Sequence, residues 1–252
     1  MSSAGAVPFD SGSAYAQDTP AAVNALQPYV IYYGWLTDDE RGQPNDVAHA
    51  IAAVGATLLI AHLWTAEPER HRNLSPQVLA LMHEAGAHVF GYVATGYGRA
   101  DRGQVSDAVA DNLSAGVDGI FFDEADSLIL PVKLAYYRQI CESVRSRGKK
   151  VILNTGVARC GEGIMDIADL LMVEHQWRPF GTESAWARNY PPDRFMGVSS
   201  NEDNALGYVV DGTRATEDAR LAWQAGIGWH AATTRYVEFP DWSADYVRAV
   251  KT

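Results

Sequence analysis

One pattern limits the fold more than any other. Short apolar, β-favouring runs alternate with amphipathic stretches eight times between residues 29 and 250. The expected strands are 29–35, 57–64, 88–94, 118–123, 150–154, 169–175, 194–199 and 227–231. The expected helices are 45–54, 76–84, 104–115, 131–147, 163–167, 184–189, 216–225 and 243–250. Local signals set several boundaries. Asn45 and Ser75 stand where helix N-caps belong, Pro76 suits a first helical position, and Gly55, Gly86, Gly148 and Gly226 follow expected helix ends. Such alternation with short links predicts an α/β protein, a single (β/α)8 TIM barrel over 27–252. Residues 1–26, rich in Ser, Ala and Gly, are expected to form a short flexible arm. The alternative is a doubly wound open sheet. It would carry a glycine-rich phosphate fingerprint after an early strand, and Gly34-Trp35-Leu36 is not one.

Composition narrows the function. A formal charge of −11 argues against a nucleic-acid partner, which would need clustered Lys and Arg. No apolar run approaches the roughly 20 residues of a membrane span. Cys141 and Cys160 are too few for a zinc framework or a disulfide scaffold, and leave room for one bridge. The amino-terminal stretch lacks a basic start and a continuous apolar core. Ala14-Tyr15-Ala16-Gln17 resembles a small-residue processing site. The expected location is therefore outside the cell or at its surface if a leader was trimmed, and cytoplasmic otherwise.

Barrel enzymes build their sites at the carboxyl ends of the strands. There the sequence offers Tyr33, Trp35 and Asp38 on the first strand, His62 and Trp64 on the second, and Tyr92, Thr95 and Tyr97 on the third. Asp123 and Glu124 end the fourth, Asn154 the fifth, and Glu174, His175 and Trp177 the sixth. Ser199 and Asn201 end the seventh, and Trp229 and His230 the eighth. Four of the seven tryptophans fall in this set, and aromatic faces among carboxylates and amides suit sugar rings. Asp123 and Glu174 each end a buried apolar run, where an acid is costly to folding unless it serves a site. Two carboxyl groups flanking one bond are what glycoside hydrolysis needs. Asp123 could also cap a helix, Glu174 could close a salt bridge at the barrel rim, and Asn154 before Thr155-Gly156 could be a turn residue.

Other chemistries fit less well. No expected strand core carries the lysine of a Schiff-base aldolase, and no glycine-rich phosphate loop follows the seventh or eighth strand. The acids and histidines show no tight metal-ligand spacing, so neither metal nor cofactor is expected. Ser199 and Ser200 lack a nucleophile-elbow context.

The segments 90–98 and 116–124, Asn154-Thr155-Gly156 and Val173-Glu174 resemble the spherulin-4 (spherulation-specific) family, related to endo-α-1,4-galactosaminidase-type glycoside hydrolases. The resemblance implies a metal-free (β/α)8 barrel acting on galactosamine- or N-acetylgalactosamine-containing polysaccharide. It implies Asp123 as nucleophile or its electrostatic equivalent, Glu174 as acid/base and Glu124 as a supporting acid, with Asn154 and Tyr92 lining the site. Two departures concern the substrate: Ala61-His62-Leu63-Trp64-Thr65 stands where the family often has an Asn-Pro-rich loop, and Asn154-Thr155-Gly156 where it often has Asn-Pro-Gly. A chitinase-type D-x-x-D-x-D-x-E run is absent, since aligning Asp118 and Asp123 puts Phe121 and Ala125 at its other two acidic positions. The expectation is an endo-acting, retaining glycosidase of an oligo- or polysaccharide. Asp123, Glu174 and Glu124 would be catalytic, and Trp35, Asp38, His62, Trp64, Tyr92, Tyr97, Asn154, Trp177 and Trp229 would bind substrate. A non-catalytic sugar-binding barrel is the alternative.

Overall fold

The computed structural model describes residues 26–38, 41–63, 65–66, 71–128, 130–202 and 209–251. The expected arm at 1–26 lies outside them but for Leu26. Strand β1 comes in two pieces, Gln27–Pro28 and Val30–Tyr32. Its first piece pairs with β8 (Trp229–Thr233) and its second with β2 (Leu58–Ala61), so the sheet returns on itself. Between them run β3 (His88–Ala94), β4 (Gly119–Asp123), β5 (Lys150–Asn154), β6 (Leu170–Met172) and β7 (Phe195–Ser200), each parallel to its neighbours. The result is the expected (β/α)8 barrel.

Period-two alternation sorts the strand residues into two cores. Ile31, Ile60, Phe90, Phe121, Ile152, Met172, Met196, Val198 and Ala231 fill the barrel interior. Their alternates, including Val89, Ile120, Phe122, Val151, Leu153 and Leu171, pack against the helices. A strand buried on both faces reads as a continuous apolar run, which is why these strands were visible in the sequence.

The helices are α1 (Asp46–Val54), α2 (Pro76–Glu84), α3 (Arg102–Ala115), α4 (Pro131–Arg145), α5 (Trp177–Glu183), α6 (Gly212–Gln224) and α7 (Ser243–Lys251). Capping behaves as the sequence suggests. The Asn45 side chain accepts from Ala48 N at 2.9 Å and the Ser75 hydroxyl from Val78 N at 3.1 Å, while Gly55 ends α1 in the left-handed region at φ 70°.

Several elements differ from expectation. The helix expected at 163–167 is a 3-10 turn, Glu162–Asp166, and that at 184–189 is another, Ala185–Asn189. Helix α5 was not anticipated, because the sixth strand stops at Met172 instead of running to residue 175. Helices α3 and α6 start early, where Asp101 and Asp211 provide side-chain caps. Strand β8 starts and ends two residues later than expected, because Ile227 N and Gly228 N are bonded to Ala222 O and Pro192 O before the ladder begins.

Candidate active site

The strand alternation places the site. Two residues beyond inward Phe121 is Asp123, two beyond Ile152 is Asn154, and two beyond Met172 is Glu174. Asn154 is almost fully buried, on the strand between the two acids. Its amide nitrogen donates to Asp123 Oδ1 at 2.7 Å and also to Glu174 Oε1, while its own Oδ1 accepts from Gly156 N at 3.0 Å. The two hydrogens of an amide nitrogen diverge by about 120°, so the oxygens that take them lie roughly 4–5 Å apart. Gly156, left-handed at φ 61°, faces Glu174, and a Cβ there would stand 3.4 Å from Glu174 Oε2.

A wall of aromatic rings lines one side. Tyr92 stands near the Asp123 side chain, and burial followed by the Asp123 charge pushes its hydroxyl far above the ordinary tyrosine range. The His62 ring lies 3.9 Å from that of Tyr92, tilted 31°. Tyr33 packs on His62 at 5.0 Å, on Tyr92 at 5.2 Å and on Tyr236 at 5.3 Å. Burial lowers His62 to about 4, so its imidazole is neutral at pH 7. The Tyr236 hydroxyl reaches His175 Nε2 at 3.4 Å.

Backbone strain gathers at the same place. Four non-glycine residues adopt positive φ among those described, and three are here: Tyr97 at 56°, Glu124 at 51° and Glu174 at 46°. Glutamate gains nothing locally from this conformation, which costs roughly 1–2 kcal/mol per residue. Surrounding bonds hold it. The Glu124 carbonyl accepts from Tyr97 N at 2.7 Å and from Thr95 Oγ1 at 2.9 Å, and its Oε2 accepts from Gly96 N at 3.2 Å.

Of the residues expected to bind substrate, His62, Tyr92 and Asn154 converge with Asp123 and Glu174. Tyr97, Trp35 and Asp38 are exposed on the loops that follow β3 and β1. Trp64 lies outside the described residues. Two tryptophans are elsewhere. Glu174 turns the chain out of the strand, so Trp177 opens α5 behind the barrel wall, 1% exposed and packed against Gly197. Trp229 begins β8 instead of ending it, so it lies at the amino end with its indole N–H on Asp193 O at 2.8 Å. Tyr33 was at hand in the sequence. Tyr236 was missed, because it lies beyond a strand end that was placed two residues early.

A cavity of about 760 Å³ opens at the opposite, amino-terminal end, beside Leu58, His88, Lys149, Lys150, Arg194 and Trp229. Its size is not matched by reactive geometry. Lys149 donates to Val117 O at 2.7 Å, Lys150 pairs with Asp169 at 3.3 Å, and Arg194 binds Asp169 O at 2.6 Å. Among the described residues no three His, Cys, Asp or Glu side chains form a group suited to a metal ion. Cys141 and Cys160 are separate buried thiols, and burial raises both.

A parallel eight-stranded barrel with carboxylates converging at its carboxyl end has the fold of many glycoside hydrolases. The chain belongs to spherulation-specific family 4, whose pattern matches residues 65–251. Its fold is shared with Sph3 of Aspergillus clavatus, solved in complex with GalNAc, at 16% identity and a TM-score of 0.66 over 91% of this chain and 98% of that one. It is shared also with an endo-beta-N-acetylglucosaminidase of Cordyceps militaris (12% identity, TM-score 0.60, 93% and 97% covered). A third example is a variant of the glycoside hydrolase domain of PelA from Pseudomonas aeruginosa (13%, 0.54, 84% and 96%). At such identities the likeness is one of fold. No curated protein sequence matches the chain. No helix among the described residues is long and apolar enough to cross a membrane.

Proposed function

We propose that the protein is an endo-acting glycoside hydrolase of polysaccharide containing galactosamine or N-acetylgalactosamine, working with retention of configuration. One observation carries the reading: a single amide nitrogen, that of Asn154, binds both Asp123 and Glu174. Carboxyl groups so tied fit the separation of about 5–5.5 Å for retaining enzymes better than the roughly 6.5–9.5 Å that leaves room for a water in inverting ones.

In the first step Glu174, protonated, gives its proton to the glycosidic oxygen as Asp123 attacks the anomeric carbon. The C–O bond to the leaving sugar breaks and an Asp123 ester forms. In the second step Glu174 takes a proton from water, whose oxygen attacks that carbon and returns Asp123 as a carboxylate. Asn154 holds Asp123 in line as a neutral partner, with the neutral Tyr92 nearby. Glu124, held by Gly96 N, supports the site from the adjoining turn. The GalNAc bound to Sph3 supports the substrate class, and the PelA domain supports glycoside hydrolysis. The net charge of −11 suits a partly deacetylated, cationic polymer.

The test is product release, read by mass, from a panel of galactosamine, N-acetylgalactosamine, galactose and N-acetylglucosamine polymers. Cleavage of an aminogalactan with retained anomeric configuration is expected. Asp123→Asn and Glu174→Gln should each lose at least about 10³-fold in turnover while keeping the wild-type melting temperature. Wild-type-like cleavage by either variant would overturn the assignment, and release from N-acetylglucosamine polymers alone would overturn the substrate class.

A further inference from the structure

The turn carrying Glu124 is held from behind by a side chain with no part in the reaction. Tyr137, on α4, has its ring fully buried and its hydroxyl 2.8 Å from Thr95 Oγ1. Asp126 N donates to that hydroxyl at 3.1 Å. Thr95, also buried, has its Oγ1 2.9 Å from both Asp123 O and Glu124 O. A hydroxyl has one hydrogen, and carbonyls can only accept. The Tyr137 hydroxyl also reaches Glu124 O at 3.4 Å, so the hydrogens of the two hydroxyls are shared between each other and the carbonyls of Asp123 and Glu124. A linked chain results: Asp126 N–H donates to Tyr137, and the bonded Tyr137 and Thr95 hydroxyls together serve the carbonyls of Asp123 and Glu124. Such chains strengthen each member, and in a buried site each broken link leaves an unsatisfied group.

The chain ends on two consecutive residues of one turn, the carboxylate-bearing Asp123 and the left-handed Glu124. Thr95 N binds Asp123 O at 3.0 Å and Tyr97 N binds Glu124 O at 2.7 Å, so both strained turns lean on the same two carbonyls. Burial pushes the Tyr137 hydroxyl up to about 12, which keeps its proton in place at neutral pH.

We infer that Tyr137 and Thr95 form a positioning clasp that holds Glu124 in its left-handed conformation and so fixes the Asp123 carboxylate on Asn154. The effect on turnover rests on the glycosidase reading above. The effect on geometry does not. Removing the Tyr137 hydroxyl leaves the ring to fill its place in the core, while Glu124 is released toward an ordinary negative φ and Asp123 loses register with Asn154.

The experiment uses the full chain with Tyr137→Phe and Thr95→Val, the second keeping the shape of the side chain. A crystal structure of each variant reads φ at Glu124 and the Asp123–Asn154 separation. Kinetics on whichever polymer the wild type cleaves reads turnover. The expected result is negative φ at Glu124, an Asp123–Asn154 hydrogen bond lengthened or lost, and kcat lowered roughly tenfold with KM within about twofold. A clasp that is only structural would lower the melting temperature and leave all three unchanged, and that outcome overturns the proposal. Glu124 remaining near 51° with Asp123 still on Asn154 overturns it as well. If the wild type cleaves no polymer, the glycosidase reading fails, and the two crystal structures alone decide the clasp.

Discussion

Two clusters of tyrosine, histidine and acid occupy opposite faces of the same barrel wall. At the mouth, His62, Tyr92, Tyr33, Asp123 and Glu174 face inward around Asn154. Behind β7 and β8, His230 Nδ1 lies 2.8 Å from the Tyr246 hydroxyl and its Nε2 3.2 Å from Ser199 Oγ. The Trp177 ring stands edge-on to His230, and Asp218 nearby is bound by Arg178 at 2.8 Å. Burial lowers both His62 and His230 to about 4. On paper the second cluster, with serine, histidine and acid, looks the more reactive. Yet Ser199, His230 and Asp218 are all 0% exposed, so no substrate reaches them. The difference comes from strand parity. Val198 and Ala231 point into the barrel, so Ser199 and His230 point out, under α6 and α7. Reactive residue types make a site only where the fold leaves them an open side.

That contrast can be broken by substitution, and the mouth should respond most. Asn154→Ala removes the donor shared by Asp123 and Glu174. Turnover should fall about 10²–10³-fold with a modest loss of stability. A rate within threefold of wild type would mean that the amide does not set the two carboxylates.

The rear cluster should respond in stability alone. An unfolded histidine titrates near 6.5, whereas His230 in the fold titrates at about 4. Between those values the unfolded chain binds more protons, so stability is fully present above pH 6.5 and declines as pH falls toward 4. The loss attributable to this one group is of order 3 kcal/mol. His230→Gln should flatten that dependence in denaturant titrations at pH 4.5, 5.5 and 7, with turnover per folded molecule unchanged at pH 7. An unaltered slope would show that other groups carry the acid sensitivity.

The smallest effect is expected at the amino end. Trp229→Phe loses one hydrogen bond to Asp193 O and should cost about 1 kcal/mol with KM unchanged. A raised KM would restore Trp229 to the substrate path.

How much was legible depended on what each residue needed to know. Strands β3 and β5 were placed to the residue, because each is an apolar run between strong stops. The caps at Asn45 and Ser75 and the turns at Gly55 and Gly148 follow from side-chain and backbone chemistry within a few residues. Asp123, Glu174 and Asn154 could be found because an acid or amide ending a buried run is conspicuous. Trp177 and Trp229 were misplaced because a strand's last residue is set by its partners. Trp229 pairs with Met196 and Thr233 with Ser200, a register that the run at 227–231 does not contain.

By itself the sequence determined the order of the eight strands, the barrel class and the acids at two strand ends, all of which rest on local hydrophobic pattern and turn chemistry. Only the tertiary structure decided that Asn154 joins Asp123 to Glu174, that His62 and Tyr236 stand beside them while His230 does not, and that Tyr137 reaches Thr95 from 42 residues away. Those facts depend on barrel closure, strand register and backbone strain. Each is set by contacts between residues far apart in the chain, where no short stretch of sequence can record them.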